Sequence, residues 1–372
     1  MNKLKFLLLS ILFASATLAI AQEEEGEKSD GSGQQSQAPL QVVSKFDFVP
    51  GEQVLFFDDF TSDNIGDFPA RWNTNSSGEV VTLGGFPGKW LSLQPGGTFY
   101  PETGKMFPDN FTFEFDMIIA FETEPGCLEL DMYKALPEQA MNELAPGNGG
   151  AIKFEGHGIS IFNWKDGGYA DIANSADIDY IFDHNNKKIR ISVSVQKQRM
   201  RLYVDAKKLF DVPRFFPAGT EIDRLRFALG SCEADGYKPY ISNFRFAVGA
   251  PDMRNKLITE GKLVTRGITF DSGSDKIKAE SDGTLKEISV ILKDNPAVRV
   301  KIVGHTDSDG DDAANMILSK KRAAAVKSAL TDQYGIDASR METDGKGESQ
   351  AVSPNTTPEG KANNRRVELI KL

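Results

Sequence analysis

The sequence holds few of the side chains on which enzyme chemistry most often depends. Its 372 residues include two cysteines and three histidines, which are Cys127, Cys232, His157, His184 and His305. The histidines lack the H-x-x-x-H spacing of zinc hydrolases, and the G-x-S-x-G motif of serine hydrolases does not occur. The cysteine spacing matches no metal site, so one disulfide and two separate buried thiols remain alternatives.

The sequence also contains fewer basic than acidic residues, with 43 Lys and Arg against 53 Asp and Glu and a net charge of −10. Binding to phosphate backbones needs a basic face, so these numbers argue against a nucleic-acid partner. No internal apolar run reaches the length of about 20 residues that a membrane-spanning helix needs. The 40% of hydrophobic residues over this length suffices for two domains with separate cores.

The N-terminus has the pattern of an export signal. Lys3 and Lys5 precede an apolar run over 6–20, and small residues around an A-x-A-like cleavage site follow. We therefore predict a signal peptide over 1–21, with an uncleaved anchor as the alternative. Residues 22–45 are rich in acidic residues, Ser, Gly and Gln, which predicts a disordered acidic linker.

Residues 46–250 show the period-two alternation of β-strands. Between 111 and 121 apolar residues alternate with polar ones such as Glu114 and Asp116, which predicts one buried face. The same alternation over 189–204 predicts a hairpin with one solvent-facing side. Further strands are predicted at 54–59, 79–83, 89–93, 128–133, 151–154, 158–163, 225–229 and 240–248. Many short strands at this spacing are typical of a sandwich or a barrel.

Three segments of this region resemble a known group of folds. They are LFFDDF at the start, IRISVSVQKQRMRLYVDAKKLFDVP in the middle and YISNFRFAVG at the end. Together they are similar to the concanavalin-A-like or laminin-G-like jelly roll, which implies an all-β sandwich over 46–250. An outer-membrane β-barrel is the alternative, although its strands of about 9–11 residues would be more regular than these.

Some concanavalin-like folds are glycoside hydrolases with an E-x-D-x-E pattern on one strand. Glu129 and Asp131 match its first half, but Tyr133 and Lys134 stand where the second acid belongs. A retaining hydrolase needs two carboxylates about 5–5.5 Å apart, one as the nucleophile and one as the acid. We therefore predict that the protein is not an enzyme, and a wall-targeted hydrolase is the least favoured alternative.

Four aspartates lie close together near the start of the β region: Asp58, Asp59, Asp63 and Asp67. Carboxylate oxygens in a loop are ligands that Ca²⁺ prefers, so a structural calcium site in the sandwich is one interpretation. An acidic surface turn is the simpler interpretation. No other cofactor is expected.

Beyond a connection over 251–266, which we predict to be a linker, the pattern becomes mixed α/β. The predicted elements are a strand at 268–270, a helix over 276–294, a strand at 298–302, a helix over 312–333 and a final strand over 365–372. This order predicts a small two-layer α/β domain over 267–372.

One stretch of this second domain is the most informative part of the sequence. Asp307 follows an apolar strand, and Arg322 lies fifteen positions later on the helix that comes next. An anion and a cation that converge on one pocket form a receptor for a zwitterion, such as the free end of an amino acid. An internal Asp307–Arg322 salt bridge is the alternative.

Five motifs resemble, in order and spacing, the OmpA-like C-terminal domain. They are GITFDSGSDKI, VKIVGHTDSDG, NMILSKKRAAAVKSAL, YGIDASRMETDGKGE and NTTPEGKANNRRVELI. The resemblance implies non-covalent binding to the peptide stem of peptidoglycan, with Asp307 and Arg322 clasping diaminopimelate. It also implies supporting hydrogen bonds from Thr306, Asn315, Asp271 and Arg366.

These observations together predict an exported, non-enzymatic envelope protein of the periplasm that is associated with the outer membrane. Its expected partner is diaminopimelate-type peptidoglycan. The sandwich is expected to present a second binding surface for a glycan or a protein. The principal alternative places the β region in the outer membrane as a barrel tethered to peptidoglycan.

Overall fold

A computed structural model describes residues 46–372 except 105, 124–125, 137–140, 142, 144–146, 157, 178–179, 231–235 and 250–251. The predicted signal peptide and acidic linker lie outside the described residues. Cys127 is disulfide-bonded, and Cys232, the only other cysteine of the sequence, lies outside them. Among the helices that are described, none combines the length and the apolar character needed to cross a bilayer.

The described part of 46–250 is a sandwich of two antiparallel sheets. Its strands are β1 (Gln53–Asp58), β2 (Trp72–Thr74), β3 (Gly78–Leu83), β4 (Phe86–Leu93), β5 (Thr98–Pro101), β6 (Asn110–Ala120), β7 (Leu128–Tyr133), β8 (Gly149–Glu155), β9 (Gly158–Lys165), β10 (Gly168–Asp177), β11 (Lys188–Gln196), β12 (Arg199–Val204), β13 (Lys207–Val212), β14 (Arg224–Ala228) and β15 (Lys238–Val248), with the short helix α1 (Tyr180–Asp183). One sheet runs β13-β12-β11-β6-β15-β4-β3, with β1 also paired to β15, and the other runs β10-β9-β8-β7-β14-β5-β2. The predicted strands and the sandwich are confirmed.

The core of the sandwich follows from the alternation in the sequence. Phe113, Phe115 and Met117 on β6 point between the sheets and are fully buried. They meet Leu130 and Phe227 from the opposite sheet in one continuous apolar cluster. Burial of side chains of this size contributes about 1.5–3 kcal/mol each relative to exposure, so this cluster stabilises the domain.

The second described domain has two layers, a sheet and the helices packed against it. Its elements are α2 (Met253–Ile258), β16 (Lys262–Thr265), α3 (Asp282–Asp294), β17 (Val300–Gly304), α4 (Asp312–Asp332), β18 (Met341–Gly345), α5 (Pro358–Asn364) and β19 (Val367–Lys371). The sheet order is β16-β19-β17-β18, and only β17 and β18 run parallel to each other. The two-layer prediction is confirmed.

Two predicted elements of this domain are wrong. The segment 251–266 is not an open linker, because α2 buries Met253 and Leu257 and β16 pairs with β19 at the edge of the sheet. The strand predicted at 268–270 is reduced to a single bridge between Phe270 and Ile277. The edge of the sheet is filled by β16, so 268–270 is left to form the loop ahead of α3.

The polar side of the hairpin over 189–204 is buried rather than solvent-facing. Ser192 and Ser194 are 0% and 7% exposed, and Glu114 on the neighbouring strand is 3% exposed. Tyr203 on this face packs against Phe46 and Phe48, and on β15 of the same sheet Arg245 Nη1 donates a hydrogen bond to the carbonyl of Arg266 in the second domain at 3.3 Å. Alternation identifies the polar side of a sheet but not what covers it, so the sequence pattern could not show this contact.

Residues 44–372 accordingly form one compact unit, in which α5 docks on the edge strand β1. The side-chain amide of Asn363 accepts from Val54 N at 3.1 Å and donates to Val54 O at 2.9 Å. Glu359 Oε1 accepts from Phe57 N at 3.0 Å, and Arg71 donates to the same carboxylate. These bonds satisfy backbone groups that an edge strand otherwise leaves open.

The docking contact predicts a specific loss of stability. We expect Asn363→Ala to lower the free energy of unfolding by about 1–3 kcal/mol, because it leaves buried N–H and C=O groups of Val54 without partners. Urea denaturation followed by fluorescence measures this change. Asn174→Ala, at an exposed position on β10, is the control and should shift stability by less than about 0.5 kcal/mol. Equal effects of the two substitutions would contradict this account of the docking.

Candidate functional site

The site is built on a loop that leaves β17 and passes under helix α4. A Cβ atom on Gly304 would lie 2.2 Å from the carbonyl oxygen of Ser319, and one on Gly345 would lie 2.4 Å from Lys320 N. Only glycine therefore allows α4 to pack this closely on the ends of β17 and β18. Beyond Gly304, His305 N donates to Arg366 O and Thr306 N donates to Gly347 O, each at 3.0 Å, and the Asp307 carbonyl accepts a hydrogen bond from Asn315 on the helix.

Asp307 is 7% exposed and is held from two sides. Its Oδ1 accepts a hydrogen bond from Asp309 N at 3.1 Å, and its Oδ2 pairs with Arg365 Nη1 at 2.5 Å. Asn315 supports the loop, because its amide donates to the carbonyls of Asp307 and Asp309 at 3.3 and 3.1 Å. The carboxylate is thus fixed in position before any ligand arrives.

Arg322 lies half-buried on α4 without a carboxylate partner among the residues described. Its Nε donates to Ser274 O at 2.9 Å and its Nη2 to Asp271 O at 3.4 Å, while the Phe270 ring lies 4.9 Å from its guanidinium carbon. Burial, followed by repulsion from Arg365, lowers the pKa of Arg322, and the charge of Asp307 acts in the opposite direction.

The internal salt bridge considered as an alternative is therefore not formed. Asp307 is near enough to influence the pKa of Arg322, yet its ion pair is with Arg365. A partly desolvated guanidinium held only by carbonyl dipoles and a ring gains most from an incoming anion. The site therefore has two parts: Arg322, which can bind a carboxylate of a ligand, and the neighbouring Asp307, a carboxylate of the protein that is held in place.

The other predicted residues divide into those that fit the site and those that do not. The Thr306 hydroxyl is buried without a hydrogen-bond partner in the described part of the chain. Asp271 offers its backbone carbonyl to Arg322, while its carboxylate is about half exposed and lies 3.5 Å from Lys276. Asn315 donates to backbone carbonyls of the Asp307 loop.

Arg366 does not reach the site, and Arg365 takes the place expected of it. Arg366 is 4% exposed, and its Nε pairs with Glu368 at 2.9 Å. Burial raises the pKa of Glu368, but hydrogen bonds from His305, Lys262 and Arg366 outweigh burial and leave this pKa well below its usual range. The period of two could have separated the two arginines, because Arg366 shares a face with Glu368 and Arg365 does not.

Asp131, one of the two acids considered for hydrolysis, has a structural role. Asp131 is 0% exposed and pairs with Arg226 Nε at 2.8 Å. Burial raises the pKa of Asp131 well above its usual range, against the opposing charge of Arg226. A fully buried carboxylate in an ion pair between strands is poorly placed to meet a polysaccharide.

The aspartates considered for calcium bind their own loop instead. Asp58 accepts from Phe60 N at 2.9 Å and from Trp72 Nε1 at 3.1 Å, and Asp63 accepts from Ala70 N at 3.1 Å. Burial raises the pKa of Asp58 to about 6. No group of three or more acidic, His or Cys side chains within the described ranges is arranged to hold a metal ion.

Comparison with known proteins identifies the second domain. Residues 269–365 match the OmpA family model, so this part of the chain is an OmpA family domain. The probable lipoprotein YiaD of Escherichia coli is 41% identical over 128 residues, which are 32% of this chain and 58% of the relative. Outer membrane porin F of Pseudomonas aeruginosa is 40% identical over 111 residues, which are 30% of this chain and 32% of the relative. The chain thus spans 58% and 32% of the lengths of these relatives.

Two solved structures are similar to parts of this chain. The cell wall anchor of the T6SS from Pseudomonas aeruginosa is 30% identical with a TM-score of 0.27, covering 30% of this chain and 80% of that one. The carbohydrate binding module CBM66 from Bacillus subtilis is 15% identical with a TM-score of 0.33, covering 48% of this chain and 95% of that one.

Proposed function

We propose that this protein is a non-enzymatic envelope protein that binds diaminopimelate-type peptidoglycan without covalent chemistry. The observation that carries the proposal is the state of Arg322, which lies half-buried without a carboxylate partner among the described residues and close to a fixed carboxylate. The OmpA family match over 269–365 supports the same conclusion from the sequence side.

Recognition would use two points of opposite charge. The free end of diaminopimelate carries an ammonium and a carboxylate on one carbon. Asp307 would accept hydrogen bonds from the ammonium, and Arg322 would donate to the carboxylate. Arg365 would stay on the second oxygen of Asp307 and keep that carboxylate oriented. Charged hydrogen bonds of this kind contribute about 1.5–3 kcal/mol each.

The predicted export signal would deliver the chain to the periplasm, and wall binding would hold it there close to the outer membrane. Two of the relatives named above are a probable lipoprotein and an outer membrane porin. Their names support an envelope location for this chain. The alternation and the apolar core of the sandwich support a binding module ahead of the anchor.

The sandwich would present a second surface to a glycan or a protein. A cavity of about 390 Å³ lies at one end of it, where Phe107, Gln198 and Thr220 contribute to the lining. Mixed apolar and hydrogen-bonding linings of this kind suit a small ligand or a loop of a partner protein.

The proposal is tested by binding to purified sacculi of two kinds. We expect the whole chain to sediment with sacculi whose stem peptide contains diaminopimelate. We expect it to remain in solution with sacculi that contain lysine at that position, because lysine offers an ammonium but no neighbouring carboxylate for Arg322. Equal sedimentation with both would refute recognition of the zwitterionic end.

A further inference from the structure

The contact between the two domains encloses a cavity of about 170 Å³. Its lining comes from both domains and is rich in cations, with Arg190 and Arg245 from the sandwich and Arg266, Lys278, Arg322 and Arg365 from the OmpA family domain. Because Arg322 and Arg365 belong to this lining, the cavity adjoins the Asp307–Arg322 site. At its rim, Lys278 and Arg365 have side chains that are each 37% exposed.

Two acidic residues of the sandwich neutralise only part of this charge. Glu114 pairs with Arg190 Nη2 at 3.0 Å and with Arg245 Nη1 at 3.2 Å, and Asp116 pairs with Arg190 Nη1 at 3.1 Å. Glu114 is therefore shared between two guanidinium groups. Arg266 has only carbonyl acceptors, Asn363 O at 3.0 Å and Glu52 O, and forms no ion pair in the described ranges.

Arg245 is the group in this cavity whose hydrogen bonds are least complete. It is 8% exposed, and its Nε and Nη2 atoms are buried without any acceptor from the residues described. Arg190 Nε is in the same condition. Buried donors without partners are costly, so such groups in a cavity indicate a ligand that supplies the acceptors.

The two free atoms of Arg245 also define the geometry of that ligand. Nε and Nη2 form the edge of a guanidinium that takes both oxygens of a carboxylate. The same edge of Arg199 holds Asp211 in this protein, with distances of 2.7 and 2.8 Å. Burial, with repulsion from Arg190 and Arg365, also lowers the pKa of Arg245, which an anion would relieve.

We propose that the interdomain cavity is a second anion subsite, built by both domains, for a carboxylate of the same wall peptide. This proposal rests on the proposed function, since the Asp307–Arg322 site would hold the diaminopimelate end of that peptide. Wall stem peptides carry a free α-carboxylate on the D-glutamate that precedes diaminopimelate, and this is the group that we assign to the subsite. The sandwich would then be part of the wall-binding site.

Isothermal titration calorimetry on the whole chain tests the subsite with two matched peptides. One is L-alanyl-γ-D-glutamyl-meso-diaminopimelate, and the other has the glutamate α-carboxylate replaced by a carboxamide. We expect the carboxamide to bind at least about tenfold more weakly, which corresponds to about 1.4 kcal/mol. Free meso-diaminopimelate serves as the probe of the first site alone.

Arg245→Lys is the variant that isolates the subsite. Lysine keeps the positive charge beside Glu114 but lacks the guanidinium edge, so the variant should bind the two peptides within about twofold of each other. Arg226→Lys is the control, because Arg226 is equally buried and paired with an acid, but in the other sheet. This control should keep the tenfold preference.

The outcomes separate the two proposals. If the wild-type chain binds both peptides and free meso-diaminopimelate with equal affinity, the subsite is refuted and the first site stands. If folded wild-type protein binds none of the three, both proposals fail. Should Arg245→Lys not fold, the wild-type comparison of the two peptides decides by itself.

Discussion

Arg322→Ala and Asp307→Asn should each remove binding to diaminopimelate sacculi almost completely. Each substitution deletes one of two charged contacts to the same small group, so we expect affinity to fall at least about a hundredfold. Arg322→Ala should leave stability unchanged or slightly raised, because the arginine is desolvated without a carboxylate partner in the described part of the chain. Sedimentation with sacculi and thermal unfolding measure the two effects.

The matched control for this prediction is Lys321→Ala. Lys321 is the exposed neighbour of Arg322 on the same helix, so its loss changes the net charge equally without touching the site. We expect its binding to stay within about twofold of wild type, as for an exposed charge. Retained binding in both Arg322→Ala and Asp307→Asn would disprove the assignment of the site.

The largest loss of stability is expected from Arg226→Ala in the sandwich. Asp131 is fully buried, and Arg226 is the cation paired with it. Removing the arginine leaves a buried carboxylate uncompensated, which costs about 3–5 kcal/mol at neutral pH. Guanidinium denaturation measures this loss. Arg199→Ala, which breaks a more exposed pair with Asp211, should cost less than about 1 kcal/mol.

The loss of stability in Arg226→Ala should depend on pH. Burial raises the pKa of Asp131 in the folded protein above its unfolded value. Arg226 opposes this shift, so without it the pKa of Asp131 should lie higher still. As pH falls, the folded variant then takes up this proton before the folded wild type does and gains stability relative to it. The deficit of Arg226→Ala should therefore shrink on going from about pH 7 to about pH 5. A constant deficit over this range would contradict the buried-charge explanation.

Much of the fold could be predicted from the sequence because its signals are local. The alternation over 111–121 and the hairpin over 189–204 are confirmed as β6, β11 and β12. Helix α4 was predicted within one residue, and Asp311 caps its start by accepting from Ala313 N and Ala314 N. Asp307 and Arg322 could be predicted as site residues because several motifs that resemble the OmpA-like domain surround them in the sequence.

What the sequence could not show depends on contacts between distant segments. Residues 262–265 form a strand of four residues that is recognisable only by its pairing with β19. Ser192 and Glu114 are buried on the polar side of their sheet, which the periodicity of the sequence does not show. The period of two places the adjacent Arg365 and Arg366 on opposite faces, but only their packing shows which of them meets Asp307.

We propose that a fixed carboxylate, Asp307, and an arginine with no carboxylate partner among the described residues, Arg322, together bind the zwitterionic end of diaminopimelate. Titration of meso-diaminopimelate into the whole folded chain in a calorimeter tests it most directly. We expect saturable heat with one site per chain, lost in Arg322→Ala and retained in Lys321→Ala. No saturable heat from folded wild-type protein, or equal heat from Arg322→Ala, would contradict it.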